Sequence, residues 1–150
     1  MRRRLDTLRN FRFLLVFSGL FNILVAGPLM LPGFSDSYLF YLSDLNASLH
    51  LGGLPYLRPV NPAHMLLMNT AGIDLVIIGA LVLYAAFDPD GRRGIALFSA
   101  IGRLLFAAIT GYYVLTAHLM PLVLAPALVD VAISFGFFGF LVVLGWRGQG

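Results

Sequence analysis

Three side chains of this sequence could do chemistry in a place without water: Asp74, Arg103 and Asp130. Each sits inside a long apolar run. An ionised group at the centre of a membrane span costs about 2.5–3.5 kcal/mol on insertion scales, so it is kept with a partner or for a task. Two carboxylates and one guanidinium brought together leave one excess negative charge. One carboxyl would then hold its proton or bind a cation. The same groups could serve packing alone, as buried ion pairs often do, and Arg103 could snorkel to the headgroups. Asn22 and Thr110 offer further polar atoms, which makes Asp74, Arg103, Asp130, Asn22 and Thr110 one candidate cluster.

The elements that must position these residues are helices. Apolar runs at about 11–31, 65–87, 95–119 and 122–146 are each long enough, at about 1.5 Å per residue, to cross a hydrocarbon core of about 30 Å. Small or polar residues recur at helical spacing within them. Ser18, Asn22 and Ala26 mark the first run, Thr70 and Asp74 the second. Ser99, Arg103, Ala107 and Thr110 mark the third, Ala127, Asp130 and Ser134 the fourth. Residues four apart share a helix face, so these stripes are expected to converge inside a bundle. Counted from the expected cytoplasmic ends, Arg103 lies about 12 Å deep, Asn22 about 16 Å, Asp74 about 20 Å and Asp130 about 24 Å. Arg103 is therefore expected to meet Asp74, with Asp130 a turn further out.

Composition agrees with a membrane setting. The 150 residues are 59% hydrophobic and only 11% charged, with a mean hydropathy of +0.88; a soluble domain carries about 25% charged residues. Every basic residue is arginine and every acidic one aspartate; nothing in the physics of the fold explains this. Arg2, Arg3, Arg4, Arg9 and Arg12 form a basic arm ahead of the first run. Beside an apolar span such a cluster faces anionic headgroups and fixes orientation, so nucleic acid is not an expected partner. Arg92, Arg93 and Arg147 fall on the same side, and Arg58 alone on the other. The positive-inside rule then places both termini in the cytoplasm. The absence of cysteine excludes disulfides, thiol redox chemistry, cysteine-ligated zinc and iron–sulfur sites, and covalently attached haem.

The long connection over 34–64 is expected on the outer side, with an interfacial helix over 35–51 capped by Ser35 and stopped by Gly52-Gly53. The prolines that follow favour extended chain. Asp-Pro-Asp-Gly at 88–91 is strong turn chemistry. His50, His64 and His118 are weak candidates for metal or pigment ligation, because no HxxxH or HExxH spacing joins them. In the fourth run Phe135 and Phe138, with the thin positions Gly136 and Gly139, are expected to face a partner or ligand. No nucleophile elbow, phosphate loop or dinucleotide fingerprint is present.

The acidic second run GIDLVIIGALVL, the turn FDPDGRR and the third run with IGRLLFAAITGYY resemble the DoxX-like and BphX-like groups of small bacterial four-helix membrane proteins. The resemblance is one of layout over about 11–146, with the motifs confined to about 70–113; Phe87 stands where BphX-like proteins carry Arg before Asp-Pro. It implies a four-helix membrane architecture and, through DoxX-like members linked to redox enzymes and quinone-associated complexes, a setting in energy metabolism.

The expectation is thus an all-α integral membrane four-helix bundle, a single transmembrane domain over residues 1–150, with cytoplasmic termini and one longer extracytoplasmic loop. Its place is the bacterial inner membrane, as a multi-pass protein. Two functions are expected: a non-catalytic accessory subunit of a larger assembly, or a binder of quinone or lipid at the buried polar cluster. Membrane lipid and other integral membrane subunits are its expected partners. No cofactor is required, and a bound lipid, quinone or pigment is the class such an interior would take.

Overall fold

A computed structural model describes residues 2–146, with side chains from Leu5 to Gly145. Arg147, expected to close the last helix, lies outside the described residues. Five α-helices follow one another: α1 Arg2–Met30, α2 Phe34–Ser48, α3 Pro62–Ala85, α4 Arg93–Ala117 and α5 Leu124–Trp146, the last entered through a 3-10 turn at Pro121–Val123. Four of them are long and apolar enough to cross a membrane, which makes this a multi-pass helical membrane protein. The basic arm is not a separate segment, since helix α1 already begins at Arg2.

Packing follows from residue size. α1 and α3 run antiparallel in backbone contact, because Gly19 and Gly79 face each other. A Cβ on Gly19 would lie 2.7 Å from the Gly79 carbonyl oxygen, and one on Gly79 2.9 Å from that of Gly19. Seven residues before Gly79, Gly72 meets the last turn of α1, 2.5 Å from Met30 N by the same construction. Asn69 closes that end, its Nδ2 donating to the Leu29 carbonyl at 2.7 Å, one of the carbonyls a helix end leaves unpaired. Helices α4 and α5 make the second antiparallel pair.

The two pairs join at the end that holds the termini. Phe11, Leu15, Val82, Ala85, Ala96, Ala100, Ile133, Phe137 and Leu144 form the core there. Phe11 lies edge-on to Phe137, with centroids 6.1 Å apart. The α3–α4 turn is built as its sequence demands: the Asp88 carboxylate accepts from Gly91 N at 3.0 Å, and Arg93 pairs with Asp90. Arg92 donates to the Tyr84 carbonyl at 2.7 Å and lies 3.7 Å over the Tyr84 ring, a cation placed at a helix C-terminus.

The opposite end is capped by α2. Fifteen residues give it about 22 Å, too short to cross a bilayer. Its start is Gly33, at φ +81°, not Ser35; Ser35 is buried and accepts from Asn69 Nδ2 at 3.3 Å. The polar face of α2 points inward. Asp36, Ser43 and Asn46 are buried, whereas Phe34, Phe40, Tyr41 and Leu49 are exposed. Each inward group has a partner in the irregular chain. Tyr56 Oη donates to Asp36 Oδ1 at 2.7 Å, and the Tyr56 backbone N donates to Ser43 Oγ at 3.0 Å. Asn46 bridges the Gly52 carbonyl and the Leu122 backbone N–H. Arg58 Nε stands 2.9 Å from Asp36 Oδ2, off the N–H direction, so the contact is ionic and not a directed hydrogen bond.

Burial first, then the hydrogen bond to Asp36 and its negative charge, push the Tyr56 phenol up to about 12 from its ordinary value of 10.0. The folded cap therefore keeps a proton that the unfolded chain loses above pH 10. Its contribution is complete below pH 10 and is lost as pH rises toward 12. Thermal unfolding in detergent between these pH values is expected to show a steeper loss in the wild type than in Tyr56→Phe.

Candidate functional site

Arg103 and Asp130 meet in the interior. They are 5% and 7% exposed, and they are brought together because α4 and α5 run antiparallel through the small residues Ala96, Ala100 and Ala127. Arg103 Nη1 donates to Asp130 Oδ1. Nη2 donates to Ser18, to its Oγ at 2.7 Å and its carbonyl at 3.0 Å. Nε reaches Ser99 Oγ, one turn earlier on α4, at 3.4 Å. Ser134 lies one turn beyond Asp130, its hydroxyl 2.8 Å from the Asp130 carbonyl and 3.1 Å from that of Ala100. One guanidinium thus ties three helices. Its charge is matched by one carboxylate.

Asp74 is not part of this cluster. It is exposed on α3 and has no hydrogen bond or ion pair among the described residues. The expected triad with an excess negative charge is therefore a neutral pair. The reason is the face that α3 turns inward: glycine permits the closest helix approach, so Gly72 and Gly79 face α1, and Thr70 and Asp74 are turned away. Thr110 is buried on α4, two turns past Arg103, and is not in the cavity wall described next.

Above the ion pair the bundle is hollow. A cavity of about 630 Å3 lies between the helix pairs, with Arg103, Asp130, Ser99 and Asn22 as its polar lining and Phe21, Val25, Leu75, Phe98 and Phe106 among its apolar walls. The lining residues that are also exposed, such as Ile78, Leu81, Phe98 and Phe106, all belong to α3 and α4. The mouth is therefore lateral, between those two helices, at the level where lipid would lie. Asn22 is 8% exposed, lines the cavity, and has no hydrogen-bond partner among the described residues. Its amide donors and acceptor are used by no described residue, and the side chain belongs to the wall of this space. Asn22 joins the ion pair through the wall they share; Ser18, one turn below it, makes the actual bond to Arg103.

The fourth-run candidates divide. Phe135 is 67% exposed, and Gly139 has open space around it. Gly136 faces α1 instead, a Cβ there meeting Leu14 Cδ2 at 2.7 Å, and Phe138 packs on the core. None of the four lines the cavity. The inward turn of Phe138 and Gly136 has a simple cause: four phenylalanines circle one helix, so spacing alone does not say which are inside. His50 and His118 both adopt positive φ and end α2 and α4, where the His118 carbonyl accepts from Leu54 N at 2.7 Å. His64 is exposed in the first turn of α3. Among the described residues no three His, Cys, Asp or Glu side chains group as a metal site. What sequence reasoning missed was the cavity and its aromatic wall. The one available signal was that Phe21, Phe98 and Gly102 each stand beside a polar stripe residue.

The chain matches no protein-family model, no curated protein and no solved structure.

Proposed function

We propose that this protein is a bacterial inner-membrane binder of a neutral, lipid-soluble molecule carrying a carbonyl or hydroxyl head, a quinone being the class that fits. The observation that carries this reading is the unpartnered Asn22 amide in the wall of a laterally open apolar cavity. The volume of about 630 Å3 falls within the range of about 300–1,000 Å3 usual for small-molecule sites. Arg103 and Asp130 cancel in charge, which favours an uncharged head over an anion or a cation. Asn22 Nδ2 would donate to a carbonyl, its Oδ1 would accept from a hydroxyl, and Phe21, Phe98 and Phe106 would flank a flat ring. Arginine placement supports cytoplasmic termini, so the α2 cap would lie on the outer side.

The reading as an accessory subunit of a larger energy-transducing assembly draws on a different place, the outward face of α5 at Phe135 and Gly139. It is compatible with a ligand site, since a subunit of such an assembly can carry one.

Purified protein in nanodiscs is expected to bind a short-chain ubiquinone near one per chain, read by equilibrium dialysis. Asn22→Leu removes the donor and fills space; its affinity is expected to fall about tenfold or more, as loss of one buried hydrogen bond implies. Unaltered affinity in a folded Asn22→Leu, or no binding by the wild type, would refute the reading.

A further inference from the structure

Away from the cavity floor, one charged residue stands alone at mid-span. Asp74 lies at the middle of the 24-residue α3, exposed and without a partner among the described residues. Thr70, one turn earlier, is exposed too, and its hydroxyl is unbonded. Thr116, by contrast, donates to the Tyr112 carbonyl at 2.8 Å. A second observation concerns spacing. The exposed residues Leu67, Thr70, Asp74, Ile77, Leu81 and Tyr84 recur at alternating intervals of three and four. Other exposed stripes of α3 share this spacing, but this one carries both Thr70 and Asp74, and it fits the seam of a parallel helix pair crossing at about 20°, with a polar residue at one inner position setting register.

We propose that α3 is where two copies of this chain meet, around a two-fold axis along the membrane normal. The occupant is a second copy for three reasons. All copies insert with one topology, so the partner's Asp74 stands at the same depth by symmetry, which another protein would have to match by chance. Thr70 and Asp74 make the face complementary to itself: each Thr70 hydroxyl donates to the partner's Asp74 carboxyl across the axis. Within the chain no mid-span cation is left to serve Asp74, since Arg103 is held by Asp130 and Ser18. Isologous contact of this kind closes on itself and stops at two copies.

The chain contains no cysteine, so single cysteines report directly. In native membranes treated with a mild oxidant, Ile77→Cys, on the seam, is expected to give a disulfide-linked dimer. Leu105→Cys, exposed on α4 and off the seam, is expected to give none. Adding Asp74→Leu to Ile77→Cys is expected to weaken association about tenfold in a lipid-dilution series, the equivalent of one or two interhelical hydrogen bonds, whereas Asp74→Asn retains it. Asp74 makes no hydrogen bond or ion pair among the described residues, so an unchanged thermal midpoint of the monomer in detergent reports that the Asp74 variants remain folded. Equal cross-linking at both cysteines, none at Ile77→Cys, or Asp74→Leu associating like the wild type would overturn the proposal. So would a wild-type chain found joined to a different protein through α3. Failure of quinone binding in the wild type would leave the cross-linking result standing, because Thr70, Asp74 and Ile77 lie outside the cavity wall and of the seam only Leu81 belongs to it.

Discussion

Asp130→Leu is expected to destabilise the folded protein by about 3–5 kcal/mol, the cost of leaving a buried guanidinium without its counter-ion. Arg103 cannot follow the usual escape of long basic side chains to the headgroups, because Ser18 of α1 holds its Nη2 through two contacts and Ser99 holds its Nε. Losing Asp130 therefore strains three helices at once. The double variant Arg103→Met with Asp130→Leu removes both charges, and the bulkier leucine has the adjoining cavity to enter. This variant is expected to recover most of the loss, since replacing a buried pair by apolar residues is commonly neutral or better. Reversible unfolding in mixed micelles measures all four corners of this cycle, and a coupling near zero would show that the two residues act separately. If the double variant is stable yet does not bind quinone, the pair serves the ligand; if it binds, the pair serves the bundle.

The second large effect belongs to the α1–α3 contact. Gly72→Ala would put a Cβ 2.5 Å from Met30 N and 2.6 Å from the Leu29 carbonyl carbon. Both are backbone atoms, which cannot turn aside as a side chain can. A cost of about 1–3 kcal/mol is expected from overpacking, with about 0.5–1.5 kcal/mol more where the Asn69 bond to Leu29 is lost. Gly111→Ala is the control: nothing lies within 4 Å of the new Cβ, and alanine is the better helix former by about 1 kcal/mol. The expected order of thermal midpoints is Gly111→Ala at or above wild type and Gly72→Ala well below it.

These glycines also explain what could be read in the sequence. The four spans follow from apolar run length, and the α3–α4 and α4–α5 breaks fall close to expectation because Asp-Pro-Asp-Gly and Pro121 are local signals; α1 begins at Arg2 and not near residue 11, and α3 at Pro62, where the prolines suggest extended chain. Arg103 and Asp130 are legible as members of one cluster because both lie on faces lined by small residues, but depth arithmetic pairs Arg103 with Asp74 and not with Asp130. Asp74 misled for a physical reason: a carboxylate in an apolar run was assumed to turn inward, while two glycines seven residues apart claimed that face. α2 was legible as an amphipathic helix, but its orientation was not. Its polar residues are satisfied by Tyr56, Gly52 and Leu122, contacts that no local pattern encodes. A hollow interior is invisible to periodicity, which reports which face is turned in and not how well that face is filled.

The mouth between α3 and α4 bears on time as well as space. Two phenylalanines at its rim, Phe98 and Phe106, are 76% and 41% exposed. Among the described residues no hydrogen bond crosses that seam within the spans; α3 and α4 are joined at the Asp88–Arg92 turn. Widening the opening therefore asks for rotamer changes and not for a hinge or a local unfolding. Exposed side chains turn in picoseconds to nanoseconds, whereas lids and domain closures take microseconds or longer. Whatever enters here would exchange at a rate set by its own diffusion in the bilayer and its affinity for the floor, and not by the protein opening to admit it.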